Sequence, residues 1–425
     1  MTKLEDLCQI NPEIYNSKKD NWEEINYLDT SNITENILKS FIRLNVKKDK
    51  IPSRAKRKVK ENDIIFSTVR PSNKHYGLLK NLPNNVLVST GFSVIRVTSE
   101  KVNPNFIYEY LSQERITSLL HSIGEDSQSS YPAINPNDIT SLNIKIPSSD
   151  SIKFIGRLSN LIQKKIDINI STNNIIDQVS QKLFNSWFVN FDVVRENVRN
   201  NSLKQNKKIN SLFPGSFEKS HHGEIPKGWS VGSISDLTTS IEKGISPKYT
   251  ENKNFPVVNQ KCVRDLEVNL DLCKFTEYKK IMENKFLNNF DILVNSMGVG
   301  TLGRVALFIG RNKKYVVDGC INVVKGTDIS SSIYIFQNLL KKTEEIINLS
   351  TGSTGQTTLK KEDLGKLKII IPSKDLINLY SDIVKNLFIK KNINSLEIKK
   401  LLLLRKQIFP KLFSGDLEIK NINGF

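Results

Sequence analysis

Asp138-Ile139-Thr140-Ser141-Leu142-Asn143-Ile144-Lys145-Ile146-Pro147-Ser148 returns as Asp363-Leu364-Gly365-Lys366-Leu367-Lys368-Ile369-Ile370-Ile371-Pro372-Ser373, so the two stretches begin 225 residues apart. The register continues without a gap through Asp150/Asp375, Ile168/Ile393, Asn169/Asn394, Phe184/Phe409 and Phe188/Phe413. It holds roughly upstream as well. Asp63-Ile64-Ile65-Phe66 matches Asp291-Ile292-Leu293-Val294, Ile107-Tyr108 matches Ile333-Tyr334, and Leu4-Glu5-Asp6-Leu7 matches Ile234-Ser235-Asp236-Leu237. Chance supplies one such match but not an ordered series at nearly constant offset. The chain is a tandem duplication of one unit.

Each copy reads as a globular part followed by a long helix. The globular parts hold short β-type runs at 63–69, 86–97, 291–295, 303–309 and 315–324, with helical stretches at 106–121 and 331–347. A closing strand, 142–146 or 367–371, stops at a proline. Beyond that proline the apolar period becomes that of a helix. One stripe is Ile155, Leu158, Ile162, Ile166, Ile176, Val179, Leu183 and Trp187; the other is Tyr380, Ile383, Leu387, Leu401, Leu404, Ile408 and Leu412. Pro410 is expected to end or kink the second helix near Phe409. The Asn-rich, basic stretch 197–224 reads as a linker.

Helices of about 35–40 residues span about 55–60 Å, too far for one small domain to cover a whole apolar stripe. Each helix therefore either pairs with the other copy's helix or folds as a bundle helix on its own domain. The residues expected at a helix–helix seam are Ile162, Ile166, Val179, Leu183, Leu387, Leu401, Leu404 and Ile408.

Sixty-two Lys and Arg against 44 Asp and Glu leave a formal charge of +18. Such an excess points to a polyanion, nucleic acid first, or else to a basic surface that only maintains solubility. Basic and polar clusters give the first reading its candidates. In the first copy they are Lys56, Arg57 and Lys58 within a lysine-rich run, then Arg70, Lys74, His75 and Tyr76 after a strand, then Ser129, Ser130 and Tyr131 in a loop. In the second they are Arg304, Lys313 and Lys314, and the loop residues Ser353, Thr354, Gln356 and Thr357. Lysine and arginine neutralise phosphates, and small polar side chains bond phosphate oxygens or base edges.

Catalytic motifs fail on their context. Gly298-Val299-Gly300-Thr301-Leu302-Gly303 has dinucleotide-loop spacing, but the apolar run after it carries no helix start, so it reads as a turn between strands. No phosphate-loop lysine follows Gly352 to Gln356, and no Asn-Pro-Pro-aromatic stretch marks a methyl-transfer pocket. Cys8, Cys262, Cys273 and Cys320 are too scattered for a zinc pair or a disulfide framework. No apolar run approaches a membrane span, and the first residues lack a secretory pattern, so a cytoplasmic protein is expected.

The chain resembles the specificity subunits of type I restriction–modification systems. The resemblance rests on Ile225-Pro226-Lys227-Gly228-Trp229, on Ser186-Trp187-Phe188-Val189-Asn190-Phe191-Asp192, and on Leu412-Phe413-Ser414-Gly415-Asp416. The run 352–356, Asp291-Ile292-Leu293 and Gly303-Arg304-Val305 add to it, in order and over nearly the whole length. The first copy departs by lacking the Pro-x-Gly-Trp entry.

The resemblance implies an α+β fold with two similar α/β target-recognition domains, each followed by a long helix. The two helices would pair as an antiparallel coiled coil with pseudo-twofold symmetry. Domain boundaries follow: recognition domains 1–147 and 225–372, helical spacers 148–192 and 373–415, a linker 193–224 and a tail 416–425. It further implies a non-catalytic subunit reading a bipartite double-stranded DNA target, docking two methyltransferase subunits and a translocase–endonuclease subunit. S-adenosylmethionine, ATP and magnesium would belong to those partners, with no cofactor or metal in this chain and no membrane contact. The competing readings are an orphan DNA-binding regulator and a catalytic methyltransferase or nuclease.

Overall fold

The computed structural model describes residues 1–126, 132–199, 210–221, 223–252, 254–278, 280–311, 313–350 and 357–417. The chain divides into two compact units. One runs to Ser171 and resumes at Ser395; the other is Thr172–Asn394. Each long helix is thus cut between units, where the sequence had given one whole helix to each copy. The reason is length, because neither domain can cover a helix of some 55–60 Å.

The first unit is built on the fully buried strand Ile64–Ser67. Its four-stranded antiparallel sheet runs in the order Cys8–Ile10, Phe92–Val97, Ile64–Ser67, Tyr76–Leu78. A second sheet, in the order Ile42–Asn45, Glu24–Leu28, Val86–Ser89, Ala55–Lys58, contains one parallel pairing, between Glu24–Leu28 and Val86–Ser89. Helix Pro104–Leu111 packs Phe106 and Ile107 into the core formed by Leu4, Phe66 and Ile95. It starts where Asn103 accepts a capping bond from the Phe106 amide at 2.9 Å. The single helix expected over 106–121 is two, because Gln113 is extended and separates Pro104–Leu111 from Glu114–Glu125.

The second unit repeats this plan. Its first sheet runs Thr238–Lys243, Ile321–Gly326, Ile292–Asn295, Val305–Leu307. Its second runs Tyr249–Thr250, Lys274–Thr276, Phe255–Val258, Val316–Val317, again with one parallel pairing, between the last two, but its fourth strand joins the opposite edge from that in the first unit. Smaller features recur too. The closing strand Asn143–Ile144 pairs with Thr2–Lys3, and Lys368–Ile371 with Ser230–Ser233. The first is shorter than expected because its partner offers only two residues. Leu4 N–H donates to the Leu142 carbonyl and Ile234 N–H to that of Leu367, each at 3.0 Å. Asp63 pairs with Arg96 at 2.7 Å, and Asp291 with Lys325 at 3.8 Å. A hairpin, Ile33–Thr34/Ile37–Leu38 or Val263–Arg264/Glu267–Val268, has both turn residues at positive φ in each copy.

The long helices are Ser149–Phe184, continued by a π-turn over Asn185–Val189, and Lys374–Ser414. Within the first unit, Arg405 reaches Gln163 at 3.0 Å and Asn169 donates to Glu397 at 2.9 Å. Within the second, Asn394 donates to Asn173 at 2.9 Å, Lys391 to Asp177 at 2.7 Å, and the Tyr380 hydroxyl to the Ser180 carbonyl at 3.0 Å. Ile162 and Ile166 are buried in the first unit's core, with Leu401 and Ile408 packed against it. Leu183 and Leu387 pack against the second unit's core.

Three expectations need correcting here. Val179 and Leu404, expected to be covered, are 46% and 43% exposed; Ile176 and Arg405 are buried instead. Pro410 does not end the second helix, which runs on to Ser414. Burial of Phe409 and Leu412, and the 4.9 Å contact of Phe413 with Phe106, outweigh the hydrogen bond that proline cannot make. The stretch read as linker also holds helix Asp192–Arg199 and the hairpin Phe217–Ser220/Gly223–Pro226.

Candidate nucleic-acid interface

In both units a segment ahead of the closing strand, 132–134 or 358–359, is stitched to the end of the buried middle strand. In the first, Val69 bridges to Ala133, Ile134 N–H donates to the Thr68 carbonyl at 2.9 Å and Arg70 N–H to that of Pro132 at 2.8 Å. In the second, Met297 bridges to Thr358, and Leu359 N–H donates to the Ser296 carbonyl at 2.9 Å. The loop residues Ser129, Ser130, Tyr131, Ser353, Thr354 and Gln356 lie outside the described residues. The stitched strand end is therefore the feature that the two copies share.

Around the first strand end, Arg70 is exposed and adopts positive φ, as does Lys74, on either side of a tight turn at Pro71–Asn73. Lys74 is bound to Glu114 at 2.6 Å. His75 Nδ1 lies 2.8 Å from the Ile33 carbonyl and 3.1 Å from Thr34 Oγ1. Tyr76 is a core residue: it is 5% exposed and stacks on Phe66 at 5.6 Å.

The lysine-rich run forms the outer strand Ala55–Lys58 of the second sheet. Lys56 points outward. Arg57 turns inward, donating to Asn11 Oδ1 at 2.6 Å and to the Phe92 carbonyl. Lys58 pairs with Asp20 at 2.6 Å and sits over the Trp22 ring. Alternation along a strand explains this division, since neighbouring side chains point to opposite faces.

At the second strand end, Arg304 and exposed Thr357 stand beside the glycine turn. Asn295 N–H donates to the Arg304 carbonyl, and Arg304 Nη2 donates to the Gly300 carbonyl at 2.8 Å. Gly298, Gly300 and Gly303 have φ of 103°, 70° and 80°. A Cβ on Gly298 would stand 2.5 Å from Thr301 Oγ1, so this is a strand–turn–strand that requires glycine, as its sequence context indicated. Lys313 is exposed, and Lys314 is held by Glu283 at 2.8 Å; that pair lies with the Glu283–Phe286 segment, not with the turn.

Sequence reasoning missed the polar groups beneath this turn. Gln260 Oε1, Asn295 Oδ1, Ser296 Oγ and Asn322 Oδ1 are buried without a hydrogen-bond partner. Buried polar atoms left unpaired are uncommon and mark places where water or a ligand group completes the bonding. The available signal was Asn and Ser closing the apolar run Ile292-Leu293-Val294. Among the described residues no three His, Cys, Asp or Glu side chains gather to hold a metal, and no helix is long and apolar enough to cross a membrane.

Comparison with known proteins places this arrangement. The family described as the type I restriction modification DNA specificity domain matches residues 1–180 and again 226–403. The chain is 25% identical over 413 residues to the type I restriction enzyme HindI specificity subunit of Haemophilus influenzae, covering 86% of this chain and 89% of that one. It is 22% identical over 348 residues to the MjaIX specificity subunit of Methanocaldococcus jannaschii, covering 80% and 74%. The crystal structure of the type I restriction–modification S subunit from M. genitalium shares its fold, with a TM-score of 0.54 at 12% identity over 97% of this chain and 95% of that one. With both copies matched in turn, the chain belongs to the DNA specificity subunits of type I restriction–modification systems, which recognise the DNA target and are not themselves catalytic.

Proposed function

We propose that each unit reads one half of a bipartite duplex target, and that the two long helices pair as an antiparallel coiled coil with pseudo-twofold symmetry to set the gap. The observation that carries this reading is the doubled plan, with the same first-sheet order, the same three-strand core in the second sheet and the same stitched strand end in each copy. Different side chains at equivalent places suit two readers of different sequences. The domains are 1–147 and 225–372, the spacers 148–192 and 373–415, and 193–224 joins the copies.

Support for the pairing comes from contact order. As the first helix advances through Gln163, Asn169, Asn173, Asp177 and Ser180, its partners retreat through Arg405, Glu397, Asn394, Lys391 and Tyr380. Paired rods of that length span more than the roughly 34–36 Å between successive major-groove faces.

In the first unit, Arg70 and Lys56 are the best-placed phosphate contacts, with Ser129, Ser130 and Tyr131 as loop readers. In the second, Arg304, Thr357 and Lys313 take those places, with Ser353, Thr354 and Gln356. The helices also dock two methyltransferase subunits. Ile168 and Ile393, and again Val179 and Leu404, are exposed apolar residues at equivalent repeat positions, which suits two copies of one partner. A translocase–endonuclease subunit joins for cleavage, and S-adenosylmethionine, ATP and magnesium are bound by the partners. Replacing 225–371 by a relative's domain tests the reading. One half of the methylated sequence changes and the other persists; a change in both halves overturns it.

A further inference from the structure

Two cations lie buried on the second long helix. Among the described residues Arg405 and Lys391 are the buried Lys and Arg side chains, 6% and 7% exposed. They stand fourteen residues apart, two heptads, and so share one face.

Each cation ties three elements together inside its own unit. Arg405 Nε lies 3.2 Å from Glu109 Oε1 on helix Pro104–Leu111, and Nη1 donates to Gln163 Oε1 on the first long helix at 3.0 Å. Ser159 Oγ donates to the same Glu109 oxygen at 2.6 Å. One residue along, Lys406 pairs at 2.6 Å with Glu35 in the turn of the hairpin at 33–38. In the other unit Lys391 Nζ donates to both Asp177 oxygens at 2.8 and 2.7 Å and lies 3.6 Å from Glu267, on the corresponding hairpin.

Apolar stripes specify register poorly. A slide of one turn re-buries leucine against isoleucine much as before, whereas a buried charge finds its carboxylate in one register only. We propose that Arg405 and Lys391 are positioning residues that fix the register of the long helices and the seat of each domain upon them. They thereby fix the number of base pairs between the two half-sites. This rests on the bipartite reading above. One helical turn is about 5.4 Å, against about 3.4 Å per base pair. A one-turn slip therefore changes the gap by about one to two base pairs.

The test is genome-wide methylation mapping in cells carrying the complete system, with paired replacements that strand no buried charge, Glu267 being 36% exposed: Arg405→Met with Glu109→Gln, and Lys391→Met with Asp177→Asn. The expected result keeps both half-site sequences and adds sites whose gap differs by one to two base pairs. Arg405→Lys, which keeps the charge, returns the gap toward the parent's single value. Both paired variants methylating only at the parent's gap overturn the proposal, and so does failure of both to assemble, which would make the pairs supports of folding. A parent motif with no gap would instead sink the bipartite reading itself.

Discussion

Arg405→Met with Glu109 left in place strands a carboxylate that is 1% exposed. Breaking a buried ion pair by removing one partner costs about 3–5 kcal/mol, while replacing both partners by neutral groups of similar volume is often neutral or stabilising. Ser159 still donates to Glu109 Oε1, so the carboxylate is not left bare, but the opposing charge is gone. For a unit of about 200 residues each kcal/mol moves the melting temperature by about 2–4 °C, so the single variant melts about 6–20 °C lower. The paired variant with Glu109→Gln stays within about 1 kcal/mol of the parent. Calorimetry of the full chain, with hydrogen exchange over Pro104–Leu111 to locate the loss, reads both. A single variant as stable as the parent, or a paired variant worse than the single, refutes the assignment of Glu109 and Arg405 as a buried pair.

Burial raises the Glu109 carboxyl from 4.5 to about 6, against the opposing pull of Arg405 and Ser159. Between those values the folded chain keeps a proton that the unfolded chain has lost, so this residue's contribution falls by about 2 kcal/mol as pH rises through the window. The Glu109→Gln/Arg405→Met variant loses that component of the pH dependence; an unchanged profile in denaturant titrations from pH 4 to 7 contradicts it. Leu183→Asp, at a site packed on the second unit's core, destabilises the chain by about 2–4 kcal/mol. Leu404→Asp, at a 43% exposed site, leaves the melting temperature nearly unchanged but weakens co-purification with methyltransferase subunits. Equal melting losses at the two sites would place Leu404 at the seam after all. Lys56→Ala and Arg70→Ala each lower the slope of log K against log salt by about 0.9 in DNA-binding titrations, if each side chain neutralises one phosphate. An unchanged slope removes that residue from the interface.

The duplication was legible because Asp-initiated strands and the proline-terminated closing strand are local signals, and both recur at one offset. The long helices were legible from their stripes, as was the glycine turn from the apolar run that follows it. Tertiary matters were not. Whether a helix at 106–121 breaks at Gln113 depends on what packs around it, and Pro410 is tolerated only because Phe409, Leu412 and Phe413 are anchored. Val179 and Leu404 fit the stripe by spacing, yet a stripe drawn on sequence is wider than the face that is buried. Arg405 and Lys391 carry no local signal of burial, because the carboxylates nearest them, Glu109 and Asp177, come from residues more than 200 positions away. Tyr76 and Arg57 belong to clusters whose composition suggested a surface, while Tyr76 sits in a strand buried throughout and Arg57 turns to the inner face of an edge strand.

The most direct measurement of the central claim is genome-wide mapping of methylated sites in the native host, with this gene intact and deleted. Intact cells are expected to show one motif made of two short defined halves separated by a constant run of unspecified bases, and deletion abolishes that motif alone. A contiguous motif, or a methylation pattern unchanged by deletion, contradicts the account.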